Sequence, residues 1–189
     1  MTALVLPRSI DAINPRSWET FAPYFKELAE RPLAPENLRQ WLTDWSDLSR
    51  LLFEAISVIY IEKSQDTTDE EKEQAFLDLI EDVFPQAQTA AQALKERLLA
   101  FDPNSTALHD MTLVLRNMQN EADLYREENI PLFTEASKLE NEYDKITGVL
   151  KTEWDGEEKN LSQLGFFLRT PVILSYSFSS LEASVNRGM

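Results

Sequence analysis

The sequence predicts a mainly α protein: helical hairpins or a bundle of about six to seven helices, with one small β-hairpin near residues 149–160. Three observations carry this prediction. The four glycines are Gly148, Gly156, Gly165 and Gly188, so a long opening stretch has none. Apolar residues recur there at spacings of three and four, between short turns rich in Pro, Asp and Asn. After Ile146 the spacing changes to strict alternation and meets Asp155-Gly156.

The elements follow in order. A short first helix is expected over Ser17–Ala29, after which Pro32 and Pro35 punctuate the chain. Pro35 suits the first turn of a second helix, where its missing N–H costs nothing. That helix should run to about Lys63, with Leu38, Trp41, Leu42, Trp45, Leu48, Leu52, Ala55, Ile56 and Ile59 on one face. Leu51, Phe53, Val58, Tyr60 and Ile61 fall off that face, so its second half is expected to be buried on more than one side. Thr68-Asp-Glu-Glu71 reads as a capping box opening a third helix. Its apolar face is Phe76, Leu77, Ile80, Val83 and Phe84, and Pro85 should interrupt or kink it. A further helix to Phe101 uses Ala87, Ala91, Leu94, Leu98 and Phe101.

Asp102-Pro-Asn-Ser105 is a turn. Beyond it, Leu108, Met111, Leu115, Met118, Ala122 and Tyr125 form one seam, and Leu132, Ala136, Leu139, Tyr143 and Ile146 a second, with Asn129 and Pro131 between them. Two such helices should pack as an antiparallel pair. Leu150, Thr152 and Trp154 then alternate with Lys151 and Glu153. Asp-Gly at the following turn is a strong hairpin signal, because both turn positions need positive φ. Leu150 and Trp154 would need a surface to pack on, since two strands alone are marginal in water. Asn160-Leu-Ser-Gln163 is a capping box for one last short helix through Leu168.

The size, 189 residues and 21.8 kDa, suits one domain or one domain plus an appendage. Lys and Arg total 18 against 33 Asp and Glu, a net charge of −15. Such a balance argues against nucleic acid and against an anionic membrane surface as partners, both of which call for a basic footprint. An apolar share of 43 % excludes global disorder. No segment approaches the roughly 20 apolar residues of a membrane span. Met1–Arg8 has no basic region ahead of an apolar run, so it does not read as a signal peptide. With no cysteine, neither a disulfide nor a thiolate metal site can form. The expected location is the cytoplasm.

The residues that bear chemistry do not assemble into a catalytic set. His109 is the one histidine, so H-E-x-x-H cannot be written, nor the paired Glu-x-x-His of a di-iron bundle. A Ser-His-Asp triad could recruit His109, but no Gly-x-Ser-x-Gly elbow exists, and a helix-start or surface histidine is the simpler reading. No glycine-rich phosphate loop is present. Asp66, Asp69, Glu70, Glu71 and Glu73 form the densest acidic cluster, without the spacing and glycine of a calcium loop. Acidic residues at a helix N-terminus are expected from the macrodipole alone. Glu127-Glu128 and Glu157-Glu158 read as solvated pairs, and Trp41 with Trp45 reads as core before it reads as a ligand platform. No catalytic, cofactor-binding or metal-ligating residue is therefore assigned.

One stretch is more specific. It runs Arg116-Asn-Met-Gln-Asn-Glu-Ala-Asp-Leu-Tyr-Arg-Glu-Glu-Asn-Ile-Pro-Leu132. With it go Thr134-Glu135, Lys138-Leu139, Glu142-Tyr143, Ile146-Thr147-Gly148 and Trp154-Asp-Gly-Glu-Glu158. Together these resemble the N-terminal region of oligoendopeptidase F-like proteins, which are thimet-type zinc metallopeptidases. Leu161, Gln163-Leu164 and Phe167-Leu168 continue the likeness, and Arg31-Pro-Leu33 with the Trp41–Trp45 helix extends it upstream. The resemblance implies a helical region forming part of the wall of a deep channel that admits short peptides. Zinc, its ligands and the catalytic Glu would lie in a C-terminal helical domain, which this chain is expected to lack. It implies no zinc or catalytic residue at any position here, and no cofactor in this chain. Short peptides and that missing domain are the implied partners of the full enzyme.

After Leu168 the composition changes. Arg169–Met189 is rich in serine, has Glu182 as its one acid, and alternates Val172, Leu174, Tyr176 and Phe178 with Ile173 and serines. The expected division is thus 1–168, an oligoendopeptidase-like N-terminal helical domain, and 169–189, an atypical tail. A reading-frame shift near Leu168 would explain the tail as the end of a truncated peptidase. A genuine edge strand or an artificial chain end are the other readings. The functional expectation is a non-catalytic fragment of a zinc-dependent oligoendopeptidase. Its rivals are a stand-alone helical peptide- or protein-binding module and, more weakly, a metal-carboxylate enzyme built on Asp66–Glu73.

Overall fold

The computed structural model describes residues 5–101, 110–161 and 163–165. Among these, six α-helices and one two-stranded antiparallel hairpin account for the regular structure, together with a 3₁₀ turn at Ile10–Ala12 and a π turn at Leu79–Val83. The chain divides into two compact units, Met1–Glu140 and Asn141–Met189. His109, Leu108, the turn at Asp102–Ser105, the helix end at Leu168 and the tail 169–189 lie outside the described residues.

The first unit is built on α1 (Trp18–Glu30), α2 (Leu38–Gln65), α3 (Glu70–Asp78), α4 (Phe84–Leu99) and α5 (Thr112–Leu124). Helix α1 starts where Ser17 caps it, its side chain accepting from the Glu19 N–H. Helix α2 begins three residues after the expected Pro35. The carbonyl of Ala34 accepts from both Asn37 and Leu38, so Pro35 falls in the turn that precedes the helix. The Asn37 side chain locks that turn, accepting from the Ala34 N–H and donating to the Pro32 carbonyl.

The third helix is capped one residue later than the spacing predicts. Asp69 Oδ1 accepts from the N–H groups of Glu71 and Lys72 at 3.0 and 3.2 Å. Thr68 instead donates its hydroxyl and its N–H to Asp66. A carboxylate is the stronger acceptor at a helix N-terminus, and Asp69 is placed to take two bonds.

Pro85 does not end the helix. Its absent N–H would leave a gap in an α-helical ladder, and the chain meets this by widening the preceding turn, so that the Phe84 N–H reaches the Leu79 carbonyl. Helical structure therefore runs without a break from Glu70 to Leu99.

The core joins α1 (Phe21, Phe25, Leu28), α2 (Leu38, Trp41, Trp45, Leu48, Leu51, Ala55, Ile59), Phe76, the π turn (Leu79, Ile80, Val83) and α4 (Ala87, Leu94, Leu98). Each fully buried Leu or Phe contributes about 1.5–3 kcal/mol relative to exposure. Helix α1 packs on α4 and α2, α2 on α3, and α5 on α4. Polar ties pin the ends. Arg16 bonds Asp78 through Nε and Nη2, at 2.9 and 2.6 Å, and the Trp18 N–H donates to Asp82 at 2.8 Å. At the other end of α1, Arg31 bonds Glu27 and Asp44. Those carboxylates, Glu27 first, hold the guanidinium well above its ordinary pKa.

The seam on α5 forms, but with a different partner. Met111, Leu115 and Met118 pack against the core, and α5 lies on α4. The expected α5–α6 pair is therefore not the packing observed. Helix α6 (Asn129–Val149) starts in the first unit, where it turns Ile130, Thr134 and Lys138 inward. Ile130 is buried, the Thr134 hydroxyl reaches the Ile80 carbonyl at 3.4 Å, and Lys138 pairs with Glu81. The expected seam residues Leu132 and Leu139 are exposed, because α4 already occupies the apolar side of α5.

In the second unit β1 (Lys151–Trp154) pairs with β2 (Glu157–Asn160), placing Trp154 opposite Glu157. Asp155 and Gly156 have φ of 58° and 77°, the left-handed pair a two-residue turn requires. Leu150 and Trp154 remain exposed. The last capping box forms reciprocally: Gln163 N–H to Asn160 Oδ1 and Asn160 N–H to Gln163 Oε1, both 2.9 Å.

Candidate functional site

The residues singled out for chemistry are mostly structural. Trp41 and Trp45 meet within the core with ring centres 5.3 Å apart and planes tilted by 58°, and the Trp41 indole donates to the Leu28 carbonyl at 2.8 Å. Asp66 and Asp69 serve a turn and a helix cap. Both carboxyls are held below their ordinary pKa, Asp66 chiefly by the Thr68 hydroxyl and Asp69 chiefly by the Lys72 N–H. Glu70, Glu71 and Glu73 lie in the first turn of α3, where the helix dipole favours them. Glu157 pairs with Lys159 at 2.6 Å and Glu158 with Lys151 at 3.0 Å on the exposed hairpin. Glu127 and Glu128 are exposed. Among the described residues no group of three or more His, Asp or Glu could hold a metal ion, so they do not fit a zinc site.

The structure offers surface instead. Phe53, Tyr60 and Ile61 on α2 are 70 %, 44 % and 53 % exposed. Their spacing of seven and eight puts them on one stripe, which is the outer face of α2 and not the second buried face expected of it. Of the residues assigned to that second face, Leu51 alone is fully buried. On α6, Leu132 and Leu139 are about 60 % exposed with Phe133 beside them, and on α5 Leu113 and Val114 are exposed. The apolar spacing in the sequence was itself the signal for these stripes; it cannot distinguish a stripe met by another helix from one left open.

Next to α6 lies a groove. Pro85, Ile130 and Pro131 line two adjoining cavities of about 520 and 580 Å³. Trp18, Ala90 and Glu127 also line the first, and Thr134, Glu135 and Lys138 complete the second. Pro85, Ile130 and Pro131 give both cavities a shared apolar wall. Such a groove can bind an apolar chain segment; Glu127, Thr134, Glu135 and Lys138 lie on its wall, and no group of three or more metal-ligating side chains is found there among the described residues.

Residues 13–112, just over half of the chain, match the family described as Peptidase M3 N-terminal domain. The match covers α1 through α4, while the stretch Arg116–Glu158 that carried the likeness in the sequence lies beyond it. No curated protein and no solved structure matches the chain. No helix among the described residues is long and apolar enough to cross a membrane.

Proposed function

The chain belongs to the Peptidase M3 N-terminal domain family, and on that premise we propose that it is the non-catalytic helical part of a zinc-dependent peptidase of the oligoendopeptidase F type. In this reading residues 1–168 form the domain and 169–189 are a tail apart from it. The domain supplies a wall of the cavity in which a separate catalytic domain, carrying zinc and its ligands, cleaves short peptides in the cytoplasm. The observation that carries the reading is the pair of open apolar stripes, Phe53–Ile61 on α2 and Leu132–Leu139 on α6, on a unit whose own core is already closed. Exposed apolar patches of this kind mark surfaces that another body covers. Covering them recovers about 25 cal/mol for each Å² of apolar surface removed from water.

The purified chain, given zinc and a fluorogenic oligopeptide, should show no hydrolysis. Mixed with an M3 catalytic domain made separately, it should co-elute as a complex. Serine at Phe53, Ile61, Leu132 and Leu139 should abolish that complex. Zinc-dependent turnover by the chain alone would sink the proposal. A chain that stays monodisperse, ignores the catalytic domain and binds peptides in the Pro85–Pro131 groove would favour the stand-alone binding module.

A further inference from the structure

Resting on the reading that another body covers the open stripe of α6, we propose that the covering element is an amphipathic helix whose apolar face is flanked by lysine or arginine. Leu132, Ala136, Leu139, Tyr143 and Ile146 follow one another at spacings of four and three, which lays them in one straight seam along a single helix. All of them are exposed, and the large ones are 60 % to 66 % exposed. The sheltered side of α6 is mostly polar: Ile130 and Asn141 are buried, and Thr134, Ser137 and Asp144 are half-buried. A surface helix ordinarily does the reverse, sheltering its apolar face and offering its polar one to water. Knobs at this spacing, left open on a helix that shelters its polar side, suit a second helix whose own side chains fall between them.

Charge selects the partner. Glu135 and Glu142 border the seam on one side and Glu140 borders it on the other, and all three are exposed. These are the flanking positions of a heptad, whose charges set partner choice in paired helices. The other flanking residues, Phe133 and Thr147, carry no charge. Neither lysine of α6 offsets the acids: Lys138 lies further round the helix and pairs with Glu81, and Lys145 follows it on that same side seven residues later. A second copy of the chain is disfavoured by the same glutamates. In a parallel pair Glu135 would face Glu140 of the copy, and in an antiparallel pair Glu135 and Glu142 would face each other, both like-charge contacts. A helix with basic flanks turns each of these contacts into an attraction, and the net charge of −15 steers it towards the chain.

Fluorescence anisotropy of two labelled helical peptides, titrated with the whole chain, tests the site. Both carry the same leucine seam, one with lysine and the other with glutamate at the flanking positions. At low salt the lysine helix should bind saturably and the glutamate helix at least about tenfold more weakly, because several flanking pairs change sign together, and high salt should narrow the gap. Leu139→Ser with Tyr143→Ser leaves the net charge unchanged and should abolish binding, which separates the seam from general attraction to an acidic protein. Glu135→Lys, Glu140→Lys and Glu142→Lys combined should reverse the preference, so that the glutamate helix binds the better, with helix content unchanged because all three side chains are exposed. The docking site is overturned if the lysine helix does not bind, if the two helices bind alike, or if the serine variant binds like the parent chain. It is overturned too if the whole chain forms a dimer that the serine substitutions dissolve, since a second copy would then be the occupant. Binding of the lysine helix without binding of an M3 catalytic domain keeps the docking site and removes the peptidase reading; binding of the catalytic domain without the lysine helix does the opposite.

Discussion

The C-terminal end of α1 is held by a shared acceptor, and its removal should show as non-additivity. The Leu28 carbonyl accepts from Trp41 Nε1 at 2.8 Å and from Arg97 Nη1 at 2.6 Å, while Arg97 Nη2 donates to the Arg31 carbonyl. These carbonyls are among those a helix end leaves without internal partners. Trp41→Phe removes one donor and a little volume, which should cost about 1–2 kcal/mol. Arg97→Met keeps the aliphatic stem but removes two charge-assisted bonds and leaves the Arg31 carbonyl unmet, about 2–3 kcal/mol. Either variant alone leaves one donor on the Leu28 carbonyl. The double variant leaves none, beside a residue that is only 2 % exposed, and adds the cost of an unmet buried acceptor, about 1–3 kcal/mol. Urea denaturation of the four proteins at pH 7, followed by ellipticity at 222 nm, gives the coupling directly. A coupling smaller than about 0.5 kcal/mol is what independent sites show, and it would refute the shared-acceptor account.

Other outcomes follow from the same structure. Asp66, Asp69 and Asp78 all have carboxyls held below the ordinary value of 3.8, the last chiefly by the Gln74 amide and then by Arg16. Their stabilisation is complete above that value and is lost as pH falls through their lower native pKa, because the unfolded chain binds the protons first. Denaturant midpoints measured from pH 6 to 2 should therefore fall on the acid side, and Asp69→Ala should lower stability at pH 7 and make the acid limb shallower; an unchanged limb contradicts the cap. Gly156→Ala forces a β-carbon into a left-handed turn position with φ of 77° and should weaken the hairpin by about 1–2 kcal/mol, read as faster amide exchange across Lys151–Asn160. Phe53→Ser with Ile61→Ser should change stability by no more than about 0.5 kcal/mol per site and reduce binding of a hydrophobic dye. A loss of several kcal/mol would mean these side chains belong to the core.

What could be read from the sequence was what the backbone decides locally. The left-handed pair Asp155-Gly156 and the reciprocal box of Asn160 and Gln163 depend on residues a few positions apart, and each formed as the spacing predicts. The main face of α2 was legible too, because a helix with that spacing must bury its apolar side somewhere. The lack of a second histidine was enough to exclude H-E-x-x-H from this chain. The candidate surface was not legible. Phe53, Tyr60 and Ile61 looked like a second buried face, and Leu132 and Leu139 like half of a helix pair. Which of these stripes meets a neighbour depends on residues far away in sequence: Ala87, Leu94 and Leu98 on α4 complete the core with α1 and α2, and α4 takes the side of α5 that α6 was expected to fill. Periodicity states that a face is apolar; only packing decides whether protein or water lies against it. The Arg97 bridge to α1 belongs to the same class, since it comes from side chains brought together by tertiary contact and leaves no trace in local spacing.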